Sequence, residues 1–179
     1  KKFLYCKVSM CCVERWRESI ARCAIEHKEE LGGPILCLGT RNGREIDLFR
    51  TVFFSNLLIK ALVKISERRL YCFSSRFPFL EAFNRSDIRN IHNKSVVGVE
   101  LNPDGGRKDV YVGSFDQMPR EWEGRFSIVY SNTLDHAFDP YKTAKEWYRV
   151  LAPEGYMILG FPDEERVVSA IDHVGNISL

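Results

Sequence analysis

Five short runs along the chain are apolar at nearly every position rather than at alternate ones. They are Ile35–Leu38, Val96–Val99, Val110–Val112, Phe126–Tyr130 and Tyr156–Phe161. A strand with water on one face alternates, so a nearly unbroken apolar run of this length fits a strand covered on both faces. Helical spacing occupies parts of the intervals. Val13, Trp16, Ile20 and Ala24 recur every three or four residues and predict a helix over roughly Cys12–Leu31, stopped by Gly32-Gly33-Pro34. Ala144, Trp147, Tyr148 and Leu151 predict another over Pro140–Leu151, after which Pro153 and Gly155 turn the chain into the last strand. Strands alternating with helices argue for an α/β fold with a parallel sheet between helical layers.

One interval breaks the rhythm. Gly43 and Gly98 stand 55 positions apart, about twice what one crossover helix and its turns require. The stretch 44–94 carries ten Lys and Arg against five Asp and Glu, and it is rich in Phe and Tyr. It reads as the first crossover helix followed by an insertion around 51–94, inside one domain spanning 1–179. The apolar run Val52–Ile65 would leave a patch of the kind that marks partner surfaces, so self-association through Leu58 and Leu62 is expected.

Composition narrows the function classes only slightly. With 179 residues, 45% of them hydrophobic, the chain can bury a core without metal or disulfide staples. The net charge of +2 points to no particular partner. No apolar run is long enough to span a bilayer. The six cysteines fit no zinc spacing, no metal is expected, and Cys37 within a strand reads as a buried free thiol. Reduced cysteines suit a cytoplasmic protein, while three N-x-S triplets, at Asn84, Asn93 and Asn176, leave a secretory alternative. The first residue is Lys, so the chain reads as a processed, trimmed or partial product.

Three strand ends carry candidate chemistry. After Ile35–Leu38 come Gly39-Thr40-Arg41-Asn42-Gly43 and then a helix start. Such a turn lets a ligand approach the backbone, and helix-start N–H groups favour an electron-rich atom. The glycine spacing excludes the G-x-G-x-x-G dinucleotide pattern, and the missing Gly-Lys-Ser/Thr excludes a P-loop. Glu100 ends the second strand, where a carboxylate can accept both hydrogen bonds of a ribose diol. Ser131, Asn132, Asp135 and His136 follow the fourth strand. There His136 could act as a general base, although a structural role suits either His136 or Asp135 alone.

Taken in order, these segments resemble class I S-adenosylmethionine-dependent methyltransferases of the type 11 kind, a bacterial and plant-type subgroup. The resemblance rests on Cys37-Leu38-Gly39-Thr40-Arg41-Asn42-Gly43-Arg44-Glu45, Ser131-Asn132-Thr133-Leu134-Asp135-His136-Ala137-Phe138 and Glu146–Tyr156. It implies a Rossmann-like, mostly parallel sheet with flanking helices, and S-adenosylmethionine as cofactor. It also implies that Gly39–Gly43 cradle the methionine part and that Glu100 holds the ribose, with Leu101 on the adenine. Ser114, Phe115 and Asp116 would line the adenine edge, and Ser131 and Asn132 would lie near the sulfur. The chain departs from the pattern where Cys37 and Ser114 replace acids and Arg41 replaces a glycine. Two further strands usual in the family are missing or truncated, so the sheet is expected to be either truncated or completed by another chain.

The expected activity is methyl transfer to a small-molecule acceptor. The alternative is a non-catalytic relative that kept the fold as a binding or scaffold module. A nucleic-acid acceptor ranks lower, because Asn132 lacks the Pro-Pro-aromatic sequence of amino-methylating DNA enzymes.

Overall fold

A computed structural model describes residues 2–8, 32–41, 43–54, 86–103 and 107–162. The helix expected over Cys12–Leu31, Asn42 and the greater part of the 51–94 insertion, including Leu58 and Leu62, lie outside the described residues. In chain order the elements are β1 (Lys2–Val8), β2 (Ile35–Leu38), α1 (Arg44–Phe54), β3 (Val96–Glu100), β4 (Val110–Val112), β5 (Phe126–Ser131), α2 (Pro140–Val150) and β6 (Leu151–Pro162). Two single 3-10 turns, Arg120–Trp122 and Leu134–His136, precede β5 and α2.

The six strands form one sheet in the order β1-β6-β5-β2-β3-β4, and every pairing is parallel. Successive strands step from β2 through β3 to β4 in one direction. The chain then returns to β5, on the other side of β2, and continues outward to β6. The order reverses between β2 and β5. In open parallel sheets, ligands bind at the carboxyl ends of the strands beside such a reversal.

The largely apolar runs divide into two buried layers, as a doubly covered sheet requires. Ile35, Cys37, Val96, Ile128, Tyr130 and Ile158 pack on one face with Ile46, Phe49 and Phe53 of α1. Leu36, Leu38, Val97, Val99, Val129 and Met157 pack on the other, with Trp147 and Val150 of α2 and with Trp122. Helix α2 starts where Asp139 accepts the Lys142 N–H at 3.0 Å and Pro140 takes the first turn, where its missing donor costs nothing. Its buried Thr143, Trp147 and Val150 follow helical spacing, and the helix stops at Val150, one residue before the expected end.

Two features differ from expectation. The turn Ala152–Gly155 does not precede the last strand but loops out within it, because the register jumps from Phe126↔Leu151 to Ile128↔Tyr156. The edge beyond β6, expected to lie open for lack of later strands, is occupied by β1 of the same chain. β1 runs parallel to β6 from Lys2↔Tyr156 to Val8↔Pro162. An unpaired row of N–H and C=O groups on β6 is thereby satisfied.

A compact ionic network fastens α1 to the β3–β4 side. Asp109, fully buried before β4, accepts from Arg50 Nη2 at 2.8 Å and from Arg107 Nε and Nη2 at 2.9 Å. Arg107 also grips Asp47 of α1 at 3.1 and 2.8 Å, and Arg50 reaches the Val96 carbonyl at 3.3 Å. Two guanidiniums and two carboxylates neutralise one another, and this balance makes their burial tolerable. Burial pushes the Asp109 carboxyl upward, but hydrogen bonds from Arg107 and Arg50 outweigh it and hold the group below the usual carboxylate range. Burial likewise disfavours the charged Arg107, and its bonds to Asp109 and Asp47 more than reverse this.

Removing one partner of such a set leaves an uncompensated buried charge. Asp109→Asn is expected to destabilise the fold by about 3–5 kcal/mol in urea unfolding at neutral pH. The native carboxyl titrates lower than the unfolded one, so its stabilisation is complete above about pH 4 and fades as the pH falls further. The parent should therefore lose stability below about pH 4 more steeply than the variant. Equal stability and equal acid profiles would contradict a structural role for the network.

Candidate functional site at the carboxyl edge of the sheet

The loop after β2 is held in shape by its own backbone. Gly39 N–H donates to the Val99 carbonyl at 2.9 Å and Gly43 N–H to the Thr40 carbonyl at 2.7 Å. Gly39, Arg41 and Gly43 adopt left-handed φ values of 70°, 46° and 73°. For Arg41 this conformation is strained, and such strain persists only where surroundings enforce it. The enforcing contact is visible, because Arg41 N–H donates to Glu100 Oε2 at 2.8 Å.

Glu100 thus joins the loops that follow β2 and β3. Its other oxygen, Oε1, accepts from Asn102 N–H at 3.2 Å. Each carboxylate oxygen carries two lone pairs, so two of the four remain for a ligand diol. Leu101, next in sequence, is 65% exposed. Val112, the register partner of Glu100 on β4, is 63% exposed. An anchored carboxylate therefore has an exposed apolar residue on either side, which suits a ribose joined to a flat apolar base. Val112 was not singled out in the sequence, and only its pairing with Glu100 marks it.

The remaining candidates divide by where their side chains go. Thr40 is buried, with its methyl packed over Gly98. Ser114 Oγ accepts from Asp116 N–H at 3.1 Å, forming a local turn. Asp116 Oδ1 accepts from the Thr143 hydroxyl of α2, and Phe115 stacks edge-on against Trp147, whose indole N–H donates to the Phe115 carbonyl at 3.1 Å. The Ser114–Asp116 segment is thus fixed onto α2 by its side chains. Glu146, held below the ordinary carboxylate range chiefly by the Arg149 guanidinium, accepts from Met118 N–H at 2.7 Å and steadies the same loop. Cys37 is buried, and desolvation, reinforced by Glu45, pushes its thiol well up, so it is no nucleophile.

On the other side of the reversal, Ser131 is buried at the end of β5 with its Oγ 3.0 Å from Thr133 Oγ1, and Asn132 is half-exposed beside it. Asp135 and His136 share the following 3-10 turn. His136 Nε2 lies 4.0 Å from Asp135 Oδ2, with the imidazole 57% exposed, so the sequence neighbours do come together. Among the described residues, no cluster of His, Cys, Asp and Glu could hold a metal ion, and no helix is long and apolar enough to cross a membrane.

A cavity of about 430 Å³ opens at the opposite, amino edge, lined by Gly33, His92, Asn93, Arg125 and Ser127 among others. None of the sequence candidates lies there. The carboxyl edge is favoured because strand order reverses and the candidates converge on that side.

The loops after β2 and β5 interlock at Gly39. A Cβ built there would come within 2.6 Å of both Thr133 Cγ2 and Thr133 Oγ1. Gly39→Ala is expected to cost about 1–2 kcal/mol from its left-handed backbone alone, and more from this collision. Thr133→Ala should relieve part of it, giving a coupling of about 1 kcal/mol in a double-mutant cycle read by urea unfolding. Strict additivity would show that the two loops do not touch.

The sequence model of a family described as a methyltransferase domain matches residues 82–159. The match covers β3 to β6 through most of its length, including Glu100, Ser114–Asp116, Ser131, Asn132 and His136, and it leaves out β2 and the loop after it. No curated protein and no solved structure matches the chain. Over residues 82–159, less than half of its length, the chain is thus similar to a methyltransferase domain, and the parallel sheet with its reversal between β2 and β5 is consistent with the fold of class I S-adenosylmethionine-dependent methyltransferases.

Proposed function

We propose that the chain binds S-adenosylmethionine across the carboxyl ends of β2, β3 and β4 and transfers its methyl group to a small molecule. One observation carries the reading above the others. Glu100 is a carboxylate anchored by two backbone N–H groups at a strand end beside the reversal, between the exposed Leu101 and Val112. The residues fit the cofactor. Glu100 would take the ribose hydroxyls, Leu101 and Val112 would flank the adenine, and the backbone of Gly113–Asp116 would border its edge. The Gly39–Gly43 loop would lie along the methionine part, with Ser131 and Asn132 nearest the sulfur.

Bound there, the cofactor supplies a methyl group already activated on a sulfonium. The protein then has chiefly to position an acceptor and exclude water, and to take a proton where the acceptor releases one. His136, beside Asp135 on the turn after β5, is the group to hold that proton.

The second reading, a non-catalytic binding or scaffold module, is favoured by one feature. The N–H groups of Gly39, Arg41 and Gly43 already have partners within the protein, so the loop offers fewer donors to a ligand than its sequence suggests.

Calorimetric titration with S-adenosylmethionine separates the two readings. Binding at micromolar level is expected for the parent. Glu100→Ala should weaken it roughly ten- to a hundred-fold, the worth of a charge-assisted hydrogen-bond pair of about 1.5–3 kcal/mol. No binding by the parent, or undiminished affinity in a folded variant, would overturn the proposal.

A further inference from the structure

Among the described residues the large exposed apolar side chains are Leu101, Val112, Phe138, Tyr141 and Tyr148. Leu101 and Val112 lie at strand ends, Phe138 and Tyr141 lie on the segment and helix start that follow β5, and Tyr148 sits near the end of α2, two residues before the helix gives way to β6. Leu101 and Val112 belong to the proposed adenine platform. Phe138 and Tyr141 do not, since they follow β5 on the other side of the reversal. Phe138 is wholly exposed and Tyr141 is 74% exposed. They stand three apart, at the entry and in the first turn of α2, and Phe138 comes two residues after His136. One face of the Tyr141 ring is covered by Lys145 Nζ, 4.4 Å from its centroid.

Each of these rings left in water costs hydrophobic free energy, and exposed rings three positions apart on the segment that carries His136 suit a flat ligand that stacks on them. We infer that the methyl acceptor is a flat aromatic alcohol, a phenol, held against Phe138 and Tyr141 with its hydroxyl toward His136. This inference rests on the reading of the carboxyl edge as a methyl-transfer site. The phenol oxygen forms its new bond to the methyl carbon as the methyl–sulfur bond breaks and that electron pair stays on sulfur. The hydroxyl proton passes to the His136 imidazole and then to water. A phenol, with a pKa of about 10, gives up its proton to imidazole far more readily than an aliphatic alcohol does. Phe138 and Tyr141 are specificity-determining residues in this account, while His136 is the catalytic one.

The test uses p-cresol, catechol and 2-naphthol as probes, with 4-methylcyclohexanol and benzylamine as matched non-phenols. S-adenosylmethionine affinity is measured first by calorimetry. Its absence overturns the methyl-transfer reading and this inference together. With the cofactor bound, at least one phenol should be methylated at oxygen, and neither matched compound should be. Phe138→Ala should raise KM for that phenol about tenfold with kcat changed less than about threefold, the size of one lost ring contact. It should also weaken 2-naphthol binding to the protein saturated with S-adenosylhomocysteine, read by calorimetry without turnover, and leave cofactor affinity unchanged. Cofactor binding with no phenol methylated, preference for the alcohol or the amine, or unchanged KM and 2-naphthol affinity in Phe138→Ala would overturn the acceptor assignment alone.

Discussion

The buried carboxylate of Asp109 is the point on which this side of the molecule hangs. It receives Arg50 from α1 and Arg107 from the segment leading into β4, while Arg107 returns to Asp47 of α1. Helix, central strands and edge strand are therefore tied by one neutral set of four charges. The same Arg107 guanidinium lies where a side chain at Gly43 would stand, so the network reaches the turn that opens α1. A buried set of this kind can cost more in desolvation than it returns in attraction, and a hydrophobic core could replace it energetically. What it provides here is a fixed relation between α1, which the loop after β2 opens, and strands β3 and β4.

That relation makes Glu100 useful. A carboxylate at a strand end is common, but one held by the Arg41 and Asn102 N–H groups has its free lone pairs fixed in direction. The left-handed Arg41, the interlock of Gly39 with Thr133 and the Ser131–Thr133 contact bring the loops of β2, β3 and β5 together at one edge. Strand order makes this convergence unavoidable, because β2 sits between β3 and β5. α2 is in turn fastened to the loop after β4 through Thr143, Trp147 and the Glu146–Arg149 pair.

Much of this was legible in the sequence where the signal is local. The five largely apolar runs became β2 to β6, because strands between two helical layers bury both faces, and only at the edge strand β4 does an apolar position, Val112, stay exposed. The residues at their ends followed with them, Glu100 most clearly. β1 was not legible. Its sequence, KFLYCKV, has lysines at both ends of its apolar stretch, and its place is set by pairing with β6 about 150 positions later. The ionic network was hidden for the same reason. Asp47 and Arg107 are 60 positions apart, and nothing distinguishes them in sequence from other charges. Phe138 stood within a recognised motif, but its exposure is something no sequence pattern reports. Asp116 shows the reverse, a residue of the expected site whose carboxylate is turned onto Thr143.

The central claim is that a ligand sits at the carboxyl edge, across the reversal, rather than in the cavity at the amino edge. Hydrogen–deuterium exchange with and without S-adenosylhomocysteine tests it most directly. The account predicts slowed exchange at the amides of residues 39–43, 100–102, 113–116 and 131–133, with residues 32–34 and 91–93 unchanged. Protection confined to residues 32–34 and 91–93, or no protection anywhere at saturating ligand, would contradict it.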